Sequence, residues 1–341
     1  MTQSGDAVRL EAQPVGNRTP IEIGLNAAIV TVAAERPLIL VVPASADEAD
    51  RRESLPFGPF DPLAHRTLEI GLRSWVEEQT SLELGYVEQL YSFGDRGRHA
   101  RPGDTAPHIV SVGYLALTRL AETGERQRDG GSRFEDWYAY FPWEDWRQGR
   151  PAILEARILP ALREWAAQPA PPEELSRGQD RLTRLALAFG EGDGQPDDER
   201  VLERYELLYS AGLVTEAHAD GRRAALERGP QPELGRPMRF DHRRILATAM
   251  GRLRGKLKYR PVVFELMPDA FTLTELQKTV EAIAGRHLHK QNFRRLVESG
   301  TLVEPTGRYR TATGGRPAQL FRFRREVLLE RPAPGLRFGA R

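Results

Sequence analysis

The sequence predicts an α+β chain: a mixed α/β/α domain, a helical connector, and a compact basic module of helices closed by a hairpin. Three observations carry that prediction. Apolar, β-branched runs of strand length are concentrated in the first half. The middle, from 182 to 211, instead repeats its apolar residues at helical spacing. Charge is split between the parts. From Arg236 to Arg341 there are 23 Lys plus Arg against 9 Asp plus Glu, a net +14, while the rest carries −13. The formal total of +1 therefore hides a bipolar molecule, with one part suited to a polyanion and the other not.

Taken in order, residues 1–18 are polar and Gly-containing and are expected to fray. Residues 25–32 and 37–42 form two apolar runs broken by Ala33-Ala34-Glu35-Arg36, a hairpin in a buried sheet. Leu55-Pro56-Phe57-Gly58-Pro59 reads as a turn. In 66–80, Leu68, Leu72, Trp75 and Val76 share one helical face opposite Arg73, Glu77 and Glu78. Segments 86–93, 108–117 and 133–142 are expected strands, the first two separated by a Gly/Pro loop. Residues 153–166 make an amphipathic helix with Pro160 as an irregularity. Pro169-Ala170-Pro171-Pro172 marks a boundary. Helices follow over 182–189 and 199–211, with Asp197 and Asp198 placed for an N-cap. A second Pro/Gly linker spans 228–237. The expected organisation is a domain over 1–168, a connector over 169–235, a basic module over 236–330 and a tail over 331–341.

The composition excludes several chemistries. With no cysteine there are no disulfides, thiolate nucleophiles or Cys-based zinc sites. The seven histidines are scattered; His287 and His289, two apart, would point to different helix faces, so no metal site is expected. No apolar run reaches the roughly 18 residues of a membrane span, and residues 1–16 lack the apolar centre of a signal peptide. A cytoplasmic protein without membrane contact is expected.

In the basic module a helix opens at Phe240 and runs to about Lys256, with Asp241 as candidate N-cap. Thr272 and Glu275 fit a capping box for a helix over 273–284, ended by Gly285. A short turn leads to a second helix from Lys290, stopped by Ser299-Gly300. Residues 302–305 and 320–323 then bracket a Gly/Arg loop. Helix, helix, turn, helix, hairpin is the order of a winged helix-turn-helix. Lys290, Gln291, Asn292, Arg294 and Arg295 crowd one short helix, with Phe293, Leu296 and Val297 to anchor it. Arg and Lys suit phosphates or guanine, and Gln and Asn suit adenine. Arg308, Arg310 and Arg316 decorate the loop, which is expected to follow a backbone or enter a minor groove. Double-stranded DNA is the partner these residues fit; a solvated basic helix facing nothing is the alternative.

The first domain resembles the Nudix family, whose motif is G-x5-E-x7-R-E-U-x-E-E-x-G-U with U apolar. Its helix stacks carboxylates that hold divalent cations on a pyrophosphate. Placing Arg73 on the motif Arg puts Glu77 and Glu78 on the Glu pair, but Ser74 and His65 replace the two other carboxylates. The stretch from Gly58 to Arg73 is one residue too long, and the closing Gly-apolar pair is Thr80-Ser81. With two acids left, no catalytic set is assigned. Arg73, Glu77 and Glu78 are candidate ligand-binding residues of a retired active site; a solvated face with i,i+4 ion pairing is the alternative. Trp137, Tyr138, Tyr140, Trp143 and Trp146 fit core or interface packing, or one ring stacked on a purine.

Most of the chain, and the C-terminal third most specifically, resembles bacterial Nudix-related transcriptional regulators of NAD metabolism, of the NrtR and NadQ type. The carrying stretches are LNAAIVTV, YVEQLYSFGD, VLERYELLYSAGLV, DHRRILATAMGRLRGKLKYRPVVFELMP, FTLTELQKTVEAI, KQNFRRLVESGTLVEPT and GRPAQLFRF. The resemblance implies a DNA-binding repressor of NAD biosynthesis genes, with a degenerate Nudix domain sensing NAD, ADP-ribose or ATP and no required cofactor. A homodimer on paired half-sites is expected. An active pyrophosphatase fused to a DNA-binding domain is the other reading, and an RNA-binding or structural protein a third.

Overall fold

The computed structural model describes residues 20–44, 50–82, 84–95, 108–119, 131–169, 180–190, 196–311, 317–330 and 335–336. The expected frayed start, most of the Gly/Pro loop between 93 and 108, most of the Pro-rich boundary, Arg316 and nearly all of the tail lie outside the described residues.

The hairpin is present as β1 (Ile21–Ala33) and β2 (Arg36–Val41), with Val30 opposite Ile39 and Ala33 opposite Arg36. Ala34 and Glu35 turn the corner with φ of 49° and 60°. Two left-handed residues in a two-residue turn match the twist of paired strands. β3 (Phe57–Pro59) pairs with β1, so the segment expected to be a simple turn is a short strand. Its proline closes the strand at the edge, where a missing N–H does no harm. After α1 (Leu68–Thr80) come β4 (Tyr86–Phe93), β5 (His108–Leu117) and β6 (Arg133–Asp136). The sheet runs β4-β5-β1-β2-β6, with β3 beside β1, and β1 and β5 are parallel.

This sheet is buried on both faces, as its near-continuous apolar runs require. Side chains alternate along each strand. Leu25, Ala27, Ile29, Leu38, Leu40, Tyr114 and Ala116 share one core with Leu72 and Val76 of α1. Ala28, Val30, Ile39, Val41, Leu115 and Leu117 face the opposite side. That side is covered by α7 (His242–Tyr259) and α8 (Leu273–Ala284), two helices from the basic third of the chain. The third layer of the α/β/α arrangement is thus supplied by helices of the basic module.

Between sheet and module lie α2 (Leu159–Ala167), α3 (Arg181–Phe189), α4 (Val201–Ser210), α5 (Thr215–Ala219) and α6 (Arg223–Arg228). Three local expectations need correction. The strand expected over 133–142 stops at Asp136, whose carboxylate accepts the Tyr138 N–H at 2.9 Å and turns the chain into a 3-10 helix. Trp137, Tyr138, Tyr140 and Trp143 are thereby driven into the core. Residues Leu154–Ile158 form a π-helical turn ahead of α2. Pro160, which lacks an N–H, sits just past this widened turn. Asp241 makes no capping bond to α7 and instead pairs with Arg244 at 3.2 Å. The Thr272–Glu275 capping box is present as expected. α9 (Lys290–Ser299) and the hairpin β7 (Val303–Arg310) and β8 (Ala318–Phe323) complete the module. Phe271 bridges to Phe321, tying α8's start to the hairpin.

One ionic cluster joins all of these parts. Glu144 is 2% exposed. Arg204 of α4 binds it through two nitrogens, at 2.6 and 2.8 Å, and Arg254 of α7 binds it at 2.7 Å. The remaining guanidinium donors reach the carbonyls of Ala188, Asp197, Asp198 and Ile283. Burial alone would raise the Glu144 carboxyl, but the two arginines hold it below its ordinary value of 4.5. Glu144→Gln is expected to lower stability in urea by about 3–5 kcal/mol, since two buried cations lose their counter-charge. A loss under about 1 kcal/mol would mean the carbonyls alone suffice. Because the folded pKa is depressed, this stabilisation is present above pH 4.5 and disappears as pH falls through the folded value. Acid unfolding of the wild type, and a shallower pH dependence in the Gln variant, is the expected pair of curves.

Candidate nucleic-acid interface and effector face

α9 presents its basic residues to solvent because its apolar residues are taken up below. Phe293 and Val297, four apart, are buried, with Leu296 partly covered. Lys290, Gln291, Asn292, Arg294 and Arg295 are exposed, and none has a side-chain ion pair or hydrogen bond among the described residues. The turn before α9 is held by one carboxylate. Glu281 of α8 accepts the Leu288 N–H at 2.8 Å and the Gln277 amide at 2.8 Å, and pairs with His287 at 3.0 Å. These bonds hold its carboxyl below the ordinary range, against the desolvation of the site. His287 is therefore part of the helix-turn-helix corner.

The hairpin divides its arginines. Arg308 is exposed. Arg310 instead pairs with Glu275 in the first turn of α8, so one expected DNA contact ties the hairpin to the module. Arg316 lies outside the described residues. Much of the remaining positive charge also faces inward. Lys256 and Arg252 pair with Glu88 of β4. Arg244 meets Asp95 and Glu206, Lys258 meets Asp198 and Glu199, and Lys278 meets Glu35 in the β1–β2 turn. The charge split of the sequence is partly glue between the two regions and partly an outward face.

On the opposite side, the sequence folds α1 around its loop. Thr67 caps the helix through the Ile70 N–H at 3.2 Å. The Gln79 amide accepts the Phe57 N–H and donates to the Phe57 carbonyl, at 3.2 and 2.6 Å. Trp75 donates to the Pro59 carbonyl at 2.7 Å and lies on Gly58, where a Cβ would come within 2.2 Å of the ring. Gly58 is required by that contact. Arg73 turns to Glu69, at 2.9 Å, rather than to Glu77. Its other donors hold the carbonyls of Leu84 and Gly85, at 2.5 and 3.2 Å, ahead of β4. Glu77 and Glu78 are exposed and have no side-chain partner among the described residues. His65 rests against Gly71 of α1, close to where a Cβ would sit. Sequence reasoning found this helix but missed the pairing of Glu69 with Arg73 and the bonds of Gln79 and Trp75 to backbone groups distant in the chain.

The exposed basic helix belongs to a helix-turn-helix and hairpin unit packed against a mixed α/β sheet. Residues 263–323 match the NrtR DNA-binding winged helix domain. A stretch of 85 residues, 25% of the chain, is 49% identical to the "ADPR responsive transcriptional repressor NtrR" of Acinetobacter baylyi. The match spans one third of that relative's length. The crystal structure of Shewanella oneidensis NrtR with a 27mer DNA aligns with a TM-score of 0.51 and 19% identity, over 89% of this chain and 94% of that one. The same protein without DNA aligns with a TM-score of 0.51 and 21% identity. At such identity the likeness establishes the fold.

Arg294→Ala and Arg295→Ala are each expected to weaken binding to a specific duplex by about 1–3 kcal/mol where the side chain meets a base edge. Gel-shift titration on specific and scrambled duplexes measures it; unchanged affinity on both would remove α9 as the recognition helix. Arg308→Ala is expected to act differently. It should weaken both duplexes alike and reduce the salt dependence by about one unit of slope, the signature of a lost phosphate contact.

Proposed function

We propose that the chain is a transcriptional repressor that docks α9 in the major groove of operator DNA. The carrying observation is the exposed row Lys290, Gln291, Asn292, Arg294 and Arg295, unpaired among the described residues and fixed from beneath by Phe293 and Val297. Phosphate contacts from the Arg308 side would set its register, and base edges would supply specificity. The regulated genes are those of NAD biosynthesis. A second copy of the chain pairs half-sites one helical turn apart. The NrtR-type winged helix and the named repressor relative support this reading.

The Nudix-type domain is proposed to sense an NAD-related nucleotide, with ADP-ribose preferred over NAD and ATP because the relative is named as ADP-ribose responsive. Glu77 and Glu78, exposed on α1, are the residues free to meet the ligand or a cation on it, and Arg73 positions their helix. The domain binds without turnover, since Ser74 and His65 replace two of the motif's carboxylates. A two-ion clamp on a pyrophosphate needs more oxygen ligands than two side chains provide. Among the described residues, no helix is long and apolar enough to cross a membrane.

The test joins both activities. ADP-ribose should raise the melting point by mass action and change the gel shift on duplex from upstream of the NAD biosynthesis genes. With Mg2+ or Mn2+ present, chromatography should show no AMP. Turnover on the order of 1 per second or faster, abolished by Glu77→Gln, would make the protein a pyrophosphatase. Failure to shift any promoter duplex while the fold is intact would end the repressor reading.

A further inference from the structure

A cavity of about 390 Å³ opens on the side of the Glu144 cluster, between Trp146, the start of α4 and the corner Gly285-Arg286-His287. That volume lies within the roughly 300–1,000 Å³ of small-molecule sites. Its walls carry Arg150, Arg204, Arg254 and Arg286 against Glu144 and Asp198, two cations in excess. Arg204 and Arg254 are buried, so their charge is little screened by water. Arg150 stands over the half-buried Trp146 ring, 5.4 Å from its centroid, and pairs with exposed Glu155. A cation stacked on an indole at a cavity mouth is a ready clamp for a flat, anionic molecule.

The cavity also touches the DNA-binding corner directly. The Trp146 N–H donates to the Gly285 carbonyl at 2.7 Å. Gly285 ends α8 with φ of 70°, and a Cβ there would fall 2.5 Å from the Glu144 carbonyl oxygen. Arg286 reaches across to Asp198 at 2.7 Å. One wall therefore belongs to the turn that sets α9 relative to α8.

We propose that this cavity is a ligand site for a phosphate-bearing aromatic molecule of mononucleotide size, separate from the α1 face. Such a ligand would stack on Trp146 and pair its phosphate with Arg150 and Arg286, bracing the corner that carries α9. The proposal goes beyond the effector role given to α1, and the two are separable by where protection falls.

The experiment uses the full chain and AMP as probe, with amide hydrogen exchange and calorimetry. AMP is expected to slow exchange over 143–150 and 284–289. The exposed-site variant Arg150→Glu, checked for folding by circular dichroism, is expected to bind AMP at least about tenfold more weakly, since it places an acid where the phosphate sits. Protection confined to 57–59 and 68–80 would overturn the proposal while leaving the α1 reading standing. So would unchanged AMP affinity in the variant, or no protection in the wild type at millimolar AMP.

Discussion

Everything in this molecule is referred to one buried carboxylate. Glu144 sits in the turn that follows the last sheet strand, and it is gripped from the connector by Arg204 and from the longest helix by Arg254. The same guanidinium groups then close backbone carbonyls at the ends of α3 and α8 and in the turn before α4. Taking three charges out of water is costly, and an apolar cluster of equal volume would hold the chain as well or better. What the cluster adds is geometry. Charged hydrogen bonds at 2.6–2.8 Å accept only one arrangement of the three segments they join. The helix-turn-helix is thereby fixed relative to the sheet.

A second cluster repeats the device nearby. Arg243 is 1% exposed and binds Glu216 at 3.3 Å and the Tyr140 carbonyl. Both arginines lie on α7, eleven residues and about three turns apart. They point one face of that helix at the connector while its apolar residues, Ile245, Leu246, Met250 and Leu253, stay in the core. α7 therefore acts as a spine, with buried arginines toward the connector, apolar residues in the core, and Arg252 and Lys256 paired to β4.

The sequence made some of this legible and hid the rest for identifiable reasons. Period-two and period-3.6 patterns located the hairpin, α1, α8 and α9, because those elements form from local alternation of apolar and polar residues. The capping box at Thr272 and Glu275 was legible for the same reason: both partners lie within one turn. Arg73 was found but its partner was not, since Glu69 and Glu77 are equally spaced from it and only the fold chooses between them. The aromatic run after Arg133 read as strand by composition, whereas a single Asp136 bond turns it. The charge asymmetry marked the exposed basic row of α9, but it could not show which bases are neutralised by acids some 60 to 240 positions earlier. Lys278 against Glu35 and Lys258 against Asp198 are such pairs. Glu144 itself gave no signal at all, because a lone acid among aromatic residues is identical in sequence to a surface one.

The two-faced sheet has a consequence for the order in which the chain is made. Ala28, Val30, Ile39, Val41, Leu115 and Leu117 are all synthesised before the helices that cover them, whose first residue is His242. At roughly 5–20 residues per second on the ribosome, an apolar sheet surface waits several seconds for its cover. Contacts of such long sequence separation are slow to close and leave strand surfaces open to wrong partners meanwhile. Chaperone demand during synthesis follows directly, and so does the difficulty of producing the first half of this chain alone.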